Sequence, residues 1–228
     1  MSNKKKTKKK TTAQPQQQLT PKNYILTGRA RTLPIAECWI STDWKEAGIC
    51  SIVVARRHTS GNMTFGMYLL DIFCLGLKNT NYLFNNSEYE YKALVEKIYS
   101  VHDHGKIPID YTLAHNIIFG CIAYSEDLGF KPEKDWAITQ MILEEDTEDV
   151  ELIEVEFGKN GKPYFINGPY DNVQKVVNTL NKSVGQGNYE MMYMLGNLNR
   201  FDDDFDDDDD DDDDEDEIQD VDYEEVKR

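Results

Sequence analysis

One carboxylate and one amine interrupt the most apolar stretch of the sequence. Residues 70–78 hold Asp71 and Lys78 as their only charged side chains. A carboxylate in apolar surroundings is costly unless it is paired or hydrogen-bonded. One interpretation is structural: Asp71 fixes a turn, or pairs with Lys78 or with Arg56 or Arg57 on the neighbouring strand. The other interpretation is functional, with Asp71 as a metal ligand or general base beside Lys78.

A metal-dependent nuclease would need more than this pair. Two or three carboxylates hold the Mg²⁺ ion in such a site. Asp110, Glu126, Asp127 and Asp135 are available, but no spacing rule links any of them to Asp71. We therefore predict neither a metal site nor a cofactor, and keep the nuclease as an alternative.

His115 completes the set of candidate catalytic residues with Asp71 and Lys78. It lies in the first turn of a predicted helix and shares a face with Glu126. The two side chains are separated by about 16 Å, at about 1.5 Å of rise per residue, so they cannot form an acid–base pair. We expect His115 to be a hydrogen-bonded core or capping residue.

Other potential metal ligands also favour structural roles. The run His102-Asp103-His104 lies at a predicted helix end, where histidine interacts well with free carbonyls, and residues i and i+2 do not share a helix face. The four cysteines form no C-x-x-C pair, which predicts buried free thiols in a reducing compartment. No apolar run is long enough for a membrane span, and the basic N-terminus lacks the apolar segment of a signal peptide. We predict a cytoplasmic protein without membrane contact.

The two ends of the chain carry opposite charges. Residues 201–228 carry −17 and residues 1–19 carry +6, so the central part carries −6 of the total of −17. Neither end has enough apolar residues to offset the entropy lost on ordering. We predict a disordered basic tail at 1–22, one domain at 23–200 and a disordered acidic tail at 201–228.

Both tails suggest electrostatic contacts. The basic tail is either a solubilising segment or a sequence-independent contact to a polyanion such as RNA or DNA. The acidic tail could imitate nucleic acid toward a basic protein, fold back on the lysines, or only keep the protein soluble. The candidate binding residues are Lys4, Lys5, Lys6, Lys8, Lys9, Lys10, Arg56 and Arg57.

The order of elements predicts the fold. In the second strand, Ile52 and Val54 point one way and Val53 and Ala55 the other, which predicts a sheet covered on both faces. Strands that precede the helices favour an α+β fold with a mainly antiparallel sheet packed against a buried central helix. The predicted strands are 35–41, 49–57, 63–74, 80–84 and 151–157, with a return strand after the turn at Asn160-Gly161. One predicted helix begins at residue 88, and three others span 110–128, 133–144 and 173–184.

Three segments resemble a family of bacterial proteins. They are residues 70–80, residues 114–132 and residues 157–169, and relatives carry similar Leu-Val-Asp-x-x-Cys-Leu-Gly-x-Lys and Gly-Phe-x-Pro-His-x-Asp motifs. The resemblance covers residues 33–184 and implies a folding unit without an assigned activity. Glu133 stands where the family pattern has His, so a ligand or base role of that His is not carried over to this chain.

These observations lead to two functional hypotheses. The first is a non-enzymatic module that binds a protein or nucleic acid, with charged tails that adjust the contact. The alternative is a metal-dependent hydrolase acting on nucleic acid, centred on Asp71 and Lys78.

Overall fold

The computed structural model describes residues 19–102 and 105–193. The basic run from Lys4 to Lys10, Asp103 and His104, and the predicted acidic tail lie outside the described residues. Predictions about them therefore stay predictions.

An α+β unit with a five-stranded antiparallel sheet forms from the described residues, which confirms the predicted fold class. Its elements are α1 (Pro21–Leu26), β1 (Ile35–Ser41), α2 (Trp44–Ala47), β2 (Ile49–Arg57), β3 (Met63–Asp71), β4 (Gly76–Asn86), α3 (Glu88–Tyr99), β5 (Lys106–Ile109), α4 (Tyr111–Asp127), α5 (Trp136–Thr139), β6 (Tyr164–Ile166), α6 (Val173–Ser183) and β7 (Glu190–Met192). The strand order is β4-β3-β2-β1-β5, and β6 pairs with β7 in a separate parallel sheet.

Helices cover both faces of the main sheet, as the residues of β2 predict. Ile52 and Val54 pack into the largest apolar cluster, to which α4 contributes five buried residues. Val53 and Ala55 pack into a second cluster with buried side chains of α3. The helix α4 is therefore the buried central helix that the sequence predicts, because the core closes between it and the sheet.

The turn between β3 and β4 differs from the prediction. The third strand ends at Asp71 rather than at residue 74, and β4 begins at Gly76 rather than near residue 80. Residues 72–75 form turns. Gly76 has φ +73°, which a glycine adopts without the steric penalty of a side chain.

Several short elements depart from the predicted bounds. The helix expected at 133–144 consists of α5 and a 3-10 turn at Gln140–Ile142. Thr20 caps α1 through the N–H of Asn23, so the last two residues of the predicted tail are helical. The strand β5 was not predicted, and it pairs with β1 at the edge of the sheet.

Residues 151–157 do not form the predicted strand. Their burial alternates as predicted, with Ile153, Val155 and Phe157 half-buried and Leu152, Glu154 and Glu156 exposed, but no ladder among the described residues includes them. The predicted turn at Asn160-Gly161 is present, with both residues at positive φ. The return strand, β6, pairs with β7 instead.

Packing of the 72–75 turn against α4 makes Gly76 sensitive to substitution. A Cβ at Gly76 would overlap Ser125 Oγ, whereas no atom of the described residues lies within 4 Å of a Cβ at Gly61. A left-handed conformation costs an L side chain about 1–2 kcal/mol, and overpacking adds about 1–3 kcal/mol. We expect Gly76→Ala to lower the free energy of unfolding by about 2–5 kcal/mol in urea denaturation. Gly61→Ala, also at positive φ, should lower it by about 1–2 kcal/mol, and equal losses would contradict this packing.

Candidate functional site

Asp71 is sealed inside the fold. Only 3% of the surface of Asp71 is exposed to solvent. Its Oδ1 accepts hydrogen bonds from the backbone N–H groups of Phe73 and Cys74, both at 3.0 Å. The carboxylate therefore fixes the turn that follows β3, which is one of the two structural roles that the sequence suggested.

Burial controls the ionisation of Asp71. Removal from water raises its pKa from 3.8 to about 6. The charge of Lys78 and the N–H groups of Phe73, Cys74 and Leu75 lower the pKa, but by less than burial raises it. Desolvation disfavours the charged form, while nearby cations and donors favour it. The carboxylate thus titrates in the mildly acidic range.

Lys78 has another partner. Its Nζ lies 2.8 Å from both carboxylate oxygens of Asp171. Oδ2 of Asp171 also accepts a hydrogen bond from the N–H of Gly168 at 2.7 Å. The amine therefore ties β4 to the loop before α6, and its ion pair is formed with Asp171 rather than with Asp71.

His115 lies in a third environment. It is buried on α4, its Nε2 lies 3.2 Å from the backbone oxygen of Glu144, and its ring stacks on Phe119. Burial lowers its pKa, so the imidazole is held neutral. Asp71, Lys78 and His115 are thus engaged by different parts of the fold. In the described part of the chain, no three His, Cys, Asp or Glu side chains are arranged to hold a metal ion.

Arg56 is a structural residue rather than an exposed contact residue. Its guanidinium donates to the backbone oxygens of Ile142 at 2.6 Å, Leu33 at 2.6 Å and Arg31 at 2.9 Å. It also donates to Oε1 of Glu144 at 2.7 Å. These acceptors, and not Asp71, receive the described hydrogen bonds of Arg56, and its side chain is buried, whereas the predicted partner contact needs an exposed one.

Arg57 remains at the surface. Its side chain is 44% exposed, and its Nη1 lies 4.0 Å from Glu88. The two neighbouring arginines of β2 therefore have different environments: Arg56 points into the fold and Arg57 points to solvent.

An exposed stretch of carboxylates is the most distinctive surface of the folded unit. Eight of the thirteen residues from 144 to 156 are Asp or Glu, and none is Lys or Arg. We call this stretch the acidic segment. Among the described residues, ion pairs reach only Glu144 and Glu145 of this segment, from Arg56 and Arg31. Six exposed carboxylates therefore face solvent without a described cationic partner.

Contacts along its length hold the acidic segment on the fold. Arg31 donates to the backbone oxygen of Leu143 at the start of the segment. The side chain of Asn116 bonds to the backbone of Glu151 and Ile153 in the middle. Beyond the end, the N–H of Gly158 donates to the backbone oxygen of Ile72 at 2.9 Å.

Two grooves flank the second half of the acidic segment. The first, about 580 Å³, lies between the segment and α2 and is lined by residues including Trp44, Glu46 and Phe73. The second, about 670 Å³, is lined by Phe119 and Gly120 of α4. We call them the α2 groove and the α4 groove. Part of this surface could have been found from the sequence, because the density of acids in the segment is visible there.

The cysteines take no part in this surface. All four are buried free thiols, as predicted. Burial raises the pKa of Cys38 to about 12, so this thiol is not a nucleophile at neutral pH. No helix among the described residues is long and apolar enough to cross a membrane.

Comparison of this chain with protein-family models, curated proteins and solved structures found no match.

The raised pKa of Asp71 predicts a pH-dependent contribution to stability. The folded protein holds this proton more tightly than the unfolded chain between pH 3.8 and about 6. The stabilisation by the proton on Asp71 is therefore fully present below pH 3.8, and it is lost as the pH rises through about 6. Asp71→Asn cannot titrate. We expect the free energy of unfolding of the wild type, minus that of Asp71→Asn, to fall across this range in urea denaturation.

A difference that stays constant or rises with pH would contradict the buried position of Asp71. Asp71→Ala also removes the acceptor of two buried N–H groups. It should cost about 2–4 kcal/mol at neutral pH.

Arg56 and Arg57 provide a matched pair. Arg56→Met leaves backbone oxygens of three residues and the Glu144 carboxylate without their donor. It should lower the free energy of unfolding by about 3–5 kcal/mol. Arg57→Met should change it by less than about 0.5 kcal/mol, because exposed pairs contribute little. Similar melting temperatures for the two variants would contradict the assignment of Arg56 as a structural residue.

Proposed function

We propose that this protein is a non-enzymatic module that binds a basic protein partner. The observation that carries the proposal is the acidic segment, residues 144–156, which presents six exposed carboxylates without a described cationic partner. Complementary charge guides association and suppresses partners of like charge. A lysine- or arginine-rich surface is the chemistry that this segment would attract.

The acidic run near the C-terminus strengthens the proposal. Fifteen of the sixteen residues from 202 to 217 are Asp or Glu. A run of this charge raises the local concentration of a cationic partner and accelerates encounter. We propose that it acts as a nucleic-acid mimic toward the same partner that the acidic segment contacts.

The lysine run at residues 4–10 has a subordinate role in this proposal. It could occupy the acidic run in the absence of a partner, or contact a polyanion. The buried free thiols are consistent with a reducing compartment, so we propose a cytoplasmic location. The family resemblance of residues 33–184 adds a folding unit to the proposal and no activity.

The hydrolase alternative has less support. It requires Asp71 and Lys78 at an open cleft, whereas their described contacts are with turn N–H groups and with Asp171. If the alternative were correct, Asp71→Asn would abolish nucleic-acid hydrolysis while the fold persisted. We therefore retain it only as a second candidate with a defined test.

Binding of a basic probe tests the proposed function. The probe is a fluorescein-labelled peptide of alternating lysine and glycine, and fluorescence anisotropy gives its dissociation constant. The variant is the full-length chain with the fifteen acids of 202–217 replaced by Asn or Gln. We expect the wild type to bind, with weaker binding at higher salt. The variant should bind at least about tenfold more weakly at low salt, with a shallower salt dependence.

The control is the same peptide with glutamate in place of lysine, which should not bind. Equal affinities of wild type and variant across ionic strength would contradict the role of the acidic run. Binding of single-stranded DNA without binding of the lysine peptide would contradict a basic partner altogether.

A further inference from the structure

We propose that residues 152–156 form a docking edge to which an extended, basic segment of the partner adds as a β strand. The inference rests on the proposed function, because it specifies how the basic partner is held. The added strand would lie in the α2 groove, between the acidic segment and α2.

The backbone of residues 151–157 joins no ladder within the part of the chain that the structure describes. Among the described residues, no backbone–backbone hydrogen bond involves residues 151–157. Free N–H and C=O groups in a row are a template for an added strand. The segment is nevertheless fixed at Gly158 by its bond to Ile72, so the edge is supported by the fold.

The segment has the spacing of a β strand. The side-chain amide of Asn116 donates to the backbone oxygen of Glu151 at 3.0 Å, and its oxygen accepts from the N–H of Ile153 at 3.0 Å. Residues i and i+2 of a strand turn their backbone groups to the same side, and a neighbouring strand bonds both. Asn116, on α4, takes the place of such a neighbour on one side of the segment.

The opposite side is therefore the open edge. By the same alternation, the N–H and C=O groups of Leu152, Glu154 and Glu156 face away from Asn116. Gly158 continues this series, and its N–H bonds to Ile72, a residue that lines the α2 groove. Glu154 and Glu156 line the same groove, so we infer that their open backbone groups face it.

The edges of the main sheet offer a contrast. The edge strand β5 has four residues and contains Pro108, which has no N–H to donate. The other edge strand, β4, carries Asn79, Asn81 and Asn85. Short strands, proline and polar residues discourage pairing at a sheet edge. Residues 152–156 contain no proline and include the strand-forming residues Ile153 and Val155, and their two glutamates would repel an added strand unless it is basic.

The lining of the groove specifies the partner. On the exposed side, an added strand would place its side chains beside Glu154 and Glu156, where opposite charges stabilise cross-strand pairs. On the inner side, its residues would face the rings of Trp44 and Phe73, which line the groove. The matching sequence alternates basic and apolar residues.

Two cations also line this groove, and both lie over aromatic rings. Lys45 Nζ is 5.1 Å from the centroid of a Trp44 ring, and Lys159 Nζ is 4.5 Å from that of Tyr164. Leu152, 87% exposed, lies at the end of the edge and lines the α4 groove. Glu46, Glu154 and Glu156 outnumber these two lysines in the lining of the groove, so its net charge remains negative.

A substitution that removes one N–H from the edge tests the proposal. The probe is the fluorescein-labelled peptide Lys-Val-Lys-Val-Lys-Val-Lys, measured by anisotropy against the full-length chain with its acidic run neutralised. Glu154→Pro deletes an N–H that faces the groove, while Glu154→Gln removes the same charge and keeps the N–H. We expect Glu154→Pro to raise the dissociation constant roughly tenfold more than Glu154→Gln. Circular dichroism melting confirms that both variants fold.

A second probe keeps the test valid if Glu154→Pro fails to fold. A peptide that is N-methylated at every residue has no N–H to donate to the ladder, and it should bind the unsubstituted chain at least about tenfold more weakly than the parent peptide. Equal affinities of the two peptides, or of the two Glu154 variants, would overturn the docking edge while leaving the proposed function intact. Failure of the wild type to bind any lysine peptide would overturn the proposed function.

Two other occupants would also overturn the proposal. If Glu154→Pro alone changes the sedimentation of the protein without peptide, the occupant is a second copy of the chain. If the peptide binds only after the lysines of residues 4–10 are replaced by glutamine, the occupant is the chain's own N-terminal segment.

Discussion

A buried carboxylate holds the turn on which much of this fold depends. Asp71 binds the N–H groups that follow it and thereby ends β3 and shapes the turn into β4. The same turn receives the N–H of Gly158 at Ile72 and the N–H of Tyr164 at Phe73. The N–H of Ile72, in this turn, donates to the backbone oxygen of Gly48. One turn therefore joins the main sheet, the end of the acidic segment and the small second sheet.

A second group of buried polar contacts supports the other end of the acidic segment. Arg56 reaches from the centre of the sheet to Ile142 and Glu144, and Arg31 reaches Leu143 and Glu145. A buried guanidinium is tolerated because backbone oxygens and a carboxylate satisfy it. With both ends fixed, the segment can expose its carboxylates without losing its position. Less entropy is then lost when a partner binds.

The sequence predicts the parts of this fold that depend on local patterns. Alternation in β2 indicates two covered faces, and Ser87 with Glu90 forms the expected capping box at the start of α3. The strand predicted at 151–157 is wrong because a period of two reports alternating burial and says nothing about a pairing partner. The burial of Arg56 was not predictable, since its acceptors come from residues distant in the chain. The apolar neighbours of Asp71 indicate a buried carboxylate, but only the structure separates a turn contact from an ion pair with Lys78.

Residue-resolved amide hydrogen exchange is the most direct test of the central claim, that the acidic segment is a binding edge for a basic partner. NMR would follow the amides of Leu152, Glu154 and Glu156 in the full-length protein, with and without the lysine–valine peptide. If the acidic segment is this edge, the peptide protects these amides from exchange, while the amide of Ile153, bonded to Asn116, changes little. Unchanged exchange at all three amides under saturating peptide would contradict it.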